Sequence, residues 1–127
     1  MTLLLADIAS YQGSITSAQL WAAGMGGVNI KVSHGLTQRT VHPRAAQFAR
    51  EARTDGKALS CFHWLTGDST GTAQADYAYR SMAALGLNVP GVAHVVDVEA
   101  QASNVGGASS LAKAPRDESR KDYLWRC

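Results

Sequence analysis

A Val-rich run ends in Val95-Val96-Asp97-Val98-Glu99, which sets two carboxylates at positions i and i+2. Strand side chains alternate between faces, so Asp97 and Glu99 are expected on one side. An apolar run of this kind has the composition of a strand covered on both faces, as in a parallel α/β sheet, and the carboxyl end of such a strand is where catalytic groups stand. Asp7 lies near the carboxyl end of the first apolar run, Thr2 to Ile8. Acids gathered at such strand ends suit acid chemistry on a neutral substrate.

The elements that must position them follow a regular alternation. Strand one spans residues 2–8, and a Tyr11-Gln12-Gly13 turn leads to a short helix near Ser17 to Ala23, with Thr16 and Gln19 spaced as a capping box. Gly24, Gly26 and Gly27 close it. Strand two covers residues 28–33, and helix two begins at Pro43 and stops before Gly56. Strand three covers residues 58–65, helix three runs from Thr72 to Leu85, and strand four covers residues 92–99. The order βαβαβαβ predicts an α/β fold with about four parallel strands and three helices. A closed (β/α)8 barrel needs roughly 200 residues or more, and the chain has 127. The expected architecture is therefore a truncated (β/α) barrel of the TIM-like type in one domain, residues 1–99, with an irregular tail over 100–127.

Charge and composition exclude several classes of function. Residues 1–99 hold seven Lys/Arg and seven Asp/Glu, so the net +2 comes from the last 28 residues. A neutral body lacks the basic face that nucleic acid would require. No stretch reaches the ~18 apolar residues of a membrane span, and Thr2 to Ala6 is too short for the apolar core of a signal peptide. Cys61 sits in an apolar run and Cys127 is the last residue, which gives no disulfide framework. No Gly-x-Ser-x-Gly occurs, so a serine nucleophile has no support.

Five segments in order carry a resemblance. Asp7-Ile8-Ala9-Ser10-Tyr11-Gln12-Gly13, followed by Ile15 and Trp21, resembles the opening of the family 25 glycoside hydrolases, the Chalaropsis-type lysozymes. Gly27-Val28-Asn29-Ile30-Lys31-Val32-Ser33-His34-Gly35 is similar to that family's second strand, and Cys61-Phe62-His63-Trp64 to its third. Gln74-Ala75 falls where the family often has Gln-Ala in helix three, and Asp97-Val98-Glu99 matches its Asp-x-Glu signature. The likeness covers residues 3–99. Two positions depart from the pattern: Tyr is more usual where Phe62 stands, and Glu where His34 stands, which removes a hydroxyl and a carboxylate from the cleft.

The resemblance implies a muramidase that hydrolyses the β-1,4 bond between N-acetylmuramic acid and N-acetylglucosamine in bacterial peptidoglycan, with no cofactor. By carry-over Glu99 is the general acid, with Asp97 and Asp7 as carboxylate partners. Glycoside cleavage needs a protonated acid at the leaving oxygen and negative charge near the oxocarbenium ion. Clustered carboxylates raise the proton affinity of one of them, and Glu99 is the candidate. Asp97 acts either as nucleophile or by positioning the substrate's acetamido group. Tyr11, Lys31, His34, Phe62 and Trp64 are the candidate substrate contacts, with the aromatics suited equally to sugar stacking and to packing.

Other readings of these residues remain open. Asp7 could cap the turn that follows it, and Asp97 and Glu99 could pair with Lys31. A zinc site built from His63, His94, Asp7 and Asp97 conflicts with strand parity, because His94 is an odd number of residues from Asp97 and faces the helices. The loss of pattern after Glu99 suggests an out-of-frame or intron-derived tail, leaving an open sheet edge suited to self-association. A fragment of this kind is either a truncated endolysin or an inactive module that binds cell wall or serves as a subunit. Without a recognisable signal peptide, the expected route is that of phage endolysins, made in the host cytoplasm and acting on the wall after release.

Overall fold

The computed structural model describes residues 2–98. Glu99 and the expected tail over 100–127 lie outside the described residues. Within them the chain runs β1 (Leu5–Ile8), a single 3-10 turn (Ser10–Gln12), α1 (Ser17–Ala22), β2 (Gly27–His34), α2 (Ala45–Thr54), β3 (Ala58–Trp64), α3 (Gly71–Ala84) and β4 (Ala93–Asp97). The four strands form one parallel sheet in the order β1-β2-β3-β4. This is the expected α/β arrangement of four parallel strands and three helices, an open segment of a barrel.

Most elements start where local chemistry starts them. Thr16 accepts from the Gln19 amide while Gln19 Oε1 accepts from the Thr16 amide, the reciprocal capping box that opens α1. Thr70 caps α3 by accepting from the Ala73 amide. Helix α2 begins at Ala45, two residues later than Pro43 suggested, because His42 takes over the entry: its Nδ1 accepts from the Arg44 amide at 3.0 Å. The same ring donates from Nε2 to the Gly13 carbonyl at 2.7 Å, tying the β2–α2 loop to the β1–α1 loop. The Ser10 amide donates to the Thr40 carbonyl at 2.9 Å and reinforces that tie.

The apolar core lies on the helix-facing side of the sheet. Ile8, Val28, Ile30, Val32, Leu59 and Cys61 pack there against Phe48, Ala49 and Ala52 of α2 and Ala78 and Met82 of α3. Each large side chain buried this way contributes about 1.5–3 kcal/mol. Small residues on α2 let that helix approach the strands closely. Gly27 marks another close approach, since a Cβ there would stand 2.1 Å from the Ala58 carbonyl oxygen. Among the described residues no helix is long and apolar enough to cross a membrane.

One irregularity decides which side chains reach the opposite face. The register of β2 against β3 shifts between Lys31 and Ser33, a bulge at Val32. Val32 and Ser33 are therefore both buried, while His34 pairs with Trp64. Strict alternation from Lys31 would have turned His34 toward the helices.

Candidate active site

Three rungs of registered residues cross the face of the sheet that the helices leave uncovered. The lowest is Asp7–Asn29–Ser60–Ala93, the next is Lys31–Phe62–Val95, and the highest is His34–Trp64–Asp97. Registered neighbours in a parallel sheet project to the same side. The structure thus brings Asp7, Lys31, His34, Phe62, Trp64 and Asp97 to one face.

Asp7 and Asp97 occupy the first and last strands of the sheet, three strand spacings apart. Their rungs differ, but each lies near the carboxyl end of its strand: Asp7 is the next-to-last residue of β1 and Asp97 the last of β4.

The lowest rung is a hydrogen-bonded relay. Asn29 Nδ2 donates to Asp7 Oδ1 at 2.9 Å, and Ser60 Oγ donates to Asn29 Oδ1 at 2.7 Å. Asn29 and Ser60 were not among the residues expected at the site. A signal for Asn29 was present in the polar period-two pattern of Asn29 and Lys31 along β2.

The highest rung is aromatic and cationic. His34 stacks on Trp64 with ring centroids 5.5 Å apart and planes 5° from parallel. Lys31 Nζ lies 4.5 Å above the Trp64 ring and 3.2 Å from His34 Nδ1. Arg39 Nη2 stands 3.2 Å from His34 Nε2, and Thr40 Oγ1 3.4 Å from Nδ1. Partial burial, then the charges of Lys31 and Arg39, hold the His34 imidazole below its ordinary proton affinity, with Asp68 opposing them. Arg39 carried no motif that marked it from sequence.

The remaining candidates divide by exposure. Tyr11 is 79% exposed on the turn after β1, whereas Phe62 is buried at 8%. His94 turns away from Asp97 and approaches the Leu87 carbonyl through Nε2 at 3.3 Å.

Behind the sheet, His63 anchors a second polar network. Gln74 Oε1 accepts from the Thr66 amide at 2.9 Å and lies 3.1 Å from His63 Nε2. Since that oxygen can only accept, Nε2 carries the hydrogen and Nδ1 accepts from Ser33 Oγ at 2.7 Å. Burial holds His63 below its ordinary proton affinity, and the nearby Lys31 charge acts in the same direction while the Gln74 bond opposes it. Gln74 Nε2 donates to the Thr66 and Ser69 carbonyls at 2.8 and 3.1 Å, pinning the β3–α3 loop at the mouth of the site.

Comparison with known proteins places this geometry. The sequence pattern of the glycosyl hydrolases family 25 matches residues 6–123. A family 25 glycosyl hydrolase from Bacillus anthracis superposes with a TM-score of 0.71 at 25% identity, over 97% of this chain and 55% of that one. The bacterial lysozyme from Streptomyces coelicolor gives 0.61 at 24% identity, over 81% and 48%. The CTP1L endolysin gives 0.63 at 19% identity, over 88% and 40%. The chain thus spans about half the length of these structures. No protein of curated function matches it.

Proposed function

The chain belongs to the glycosyl hydrolases family 25, and from that premise we propose that it carries the amino-terminal part of a muramidase site, acting on the β-1,4 bond between N-acetylmuramic acid and N-acetylglucosamine in peptidoglycan. The observation that carries this reading is the placement of Asp7 and Asp97 on one open face near the carboxyl ends of their strands. Glu99 is the general acid in this reading, and the two aspartates supply negative charge for the oxocarbenium ion. Asp97 acts by direct attack or by orienting the acetamido group. Of the candidate glycan contacts, Tyr11, His34 and Trp64 offer exposed or half-buried surface, while Lys31 and Phe62 are buried beneath them.

The setting we propose is that of an endolysin, acting on the wall after release from the cell that makes it. The sheet ends in β1 and β4 among the described residues, and Val95 and Val98 are exposed beside the β4 edge. An uncovered edge of this kind supports pairing with a second copy.

The test is release of reducing sugar from purified peptidoglycan by the 127-residue protein, beside Glu99→Gln, Asp97→Asn and Asp7→Asn. Activity lost in the Glu99→Gln variant supports the muramidase reading, and equal activity in that variant would sink it. A second reading is a wall-binding module without catalysis that uses the same open face, beside which Tyr11 is 79% exposed. It predicts co-sedimentation with peptidoglycan by both wild type and Glu99→Gln, with no sugar released by either.

A further inference from the structure

Every hydrogen-bonding position of the Gln74 side chain is used, and all but one of the partners lie in the β3–α3 loop. Oε1 accepts from the Thr66 amide at 2.9 Å and from His63 Nε2 at 3.1 Å, and Nε2 donates to the Thr66 and Ser69 carbonyls at 2.8 and 3.1 Å. A carboxamide has two donors and two acceptor lone pairs, so none is left over. Gln74 is fully buried in the early part of α3, which the Thr70 cap starts. An apolar side chain of similar size would be buried there without needing partners. Four directed bonds are what holding the loop requires.

Thr66 is the residue so held, and it stands where three strands end. Its amide and carbonyl both bond to the Gln74 carboxamide, as they would to a neighbouring strand. The preceding amide, of Leu65, donates to the Asp97 carbonyl at 3.0 Å and joins the end of β3 to the end of β4. On the other side Thr66 packs against Gly35, where a Cβ would stand 2.7 Å from Thr66 Oγ1. Gly35 directly follows His34, adopts a positive φ of 58°, and donates its amide to the Trp64 carbonyl at 2.9 Å. Thr66 Oγ1 itself donates to Asp68 on the same loop.

We infer that Gln74 is a positioning residue for the site: through Thr66 it locks the carboxyl ends of β2, β3 and β4 together and so sets Asp97 against the stacked His34 and Trp64. That these residues meet substrate rests on the muramidase reading above, whereas the coupling of the strand ends does not.

The test is amide hydrogen exchange followed by NMR on the 127-residue chain, comparing wild type with Gln74→Ala and Gln74→Glu. The carboxylate of Gln74→Glu keeps the size and the acceptors but sets an anion against the Thr66 and Ser69 carbonyls, so this variant decides the matter if Gln74→Ala fails to fold. Expected is about tenfold faster exchange at Leu65 and Gly35, the scale of one to two net hydrogen bonds lost. The Ala58 amide, which donates to the Gly26 carbonyl at 3.0 Å at the opposite end of the sheet, should be unchanged. Unaltered exchange at Leu65 and Gly35 in both variants overturns the proposal. Equal acceleration at all three amides does so too, because it reports general destabilisation and not loosened strand ends. In the sugar-release assay, at equal folded protein, Gln74→Glu should lose about tenfold in turnover through misplacement of the site. Leu20→Ala, a core truncation in α1, should not. Equal turnover in those two variants overturns the proposal as well. No sugar release by wild type would instead count against the muramidase reading, and the exchange pattern would still decide the role of Gln74.

Discussion

Asn29 joins Asp7 to the interior of the sheet: its amide nitrogen donates to the Asp7 carboxylate at 2.9 Å, and its amide oxygen accepts from Ser60 at 2.7 Å. The amide therefore has a fixed orientation, set by a hydroxyl that donates on one side and a carboxylate that can only accept on the other. Asp7 is held by a partner from the neighbouring strand, on the same rung.

Replacing Asn29 with Ala should cost about 2 kcal/mol, because it removes two hydrogen bonds, each worth roughly 1 kcal/mol net. Urea denaturation checks the stability term. In the sugar-release assay Asn29→Ala should lower turnover through Asp7, so the loss should vanish in the Asp7→Asn background. A full loss persisting in that background would mean that Asn29 acts independently of Asp7.

Stability should fall as pH drops below about 6.5. Both His63 and His34 are held below the ordinary imidazole value, first by burial. The unfolded chain therefore binds protons that the folded chain refuses, and unfolding gains as they bind. The stability is fully present above pH 6.5 and is lost as pH falls toward the folded-state values. His63 lies deeper and should dominate. Urea midpoints between pH 5 and pH 8 test this, with His63→Gln expected to flatten the profile at a lower overall stability.

Gly27→Ala should be among the most damaging single substitutions in the sheet. The added Cβ would meet the Ala58 backbone carbonyl, which cannot move without breaking the β2–β3 ladder. A cost of about 3 kcal/mol, at the upper end for overpacking, is expected. A thermal midpoint close to wild type would contradict it.

Cys61 should resist alkylation in the native protein. Burial alone pushes its thiol up to about 12, so almost no thiolate exists at pH 8. In a Cys127→Ser background, iodoacetamide should label Cys61 only after denaturant is added. Rapid labelling of the folded chain would show that the helix layer opens over β3.

The alternation of Val-rich runs with capped helical segments was enough to predict parallel strands, because each crossover in a βαβ unit returns the chain parallel to the strand before it. Thr16 with Gln19 started α1 as expected, since the reciprocal cap is a local hydrogen-bond pattern. Pro43 misplaced the start of α2, because the His42 ring, held by the distant Gly13 carbonyl, captures the first amide. Strand parity correctly turned His94 from Asp97 toward α3 and its following loop. Glu99, the proposed general acid, lies outside the described residues.

What the sequence by itself determined were the α/β class, the parallel direction of the strands and the presence of Asp7 and Asp97 near strand ends, all of which depend on periodicity and short-range chemistry. Only the tertiary structure decided that His34 shares a face with Trp64 and Asp97. That outcome depends on one extra residue in β2 at Val32, which reverses the alternation midway along the strand. A bulge is settled by pairing between strands about thirty residues apart in sequence, where burying Val32 and bonding Ser33 to His63 outweigh an uninterrupted ladder. No local pattern in β2 encodes that balance, because half of its terms belong to β3.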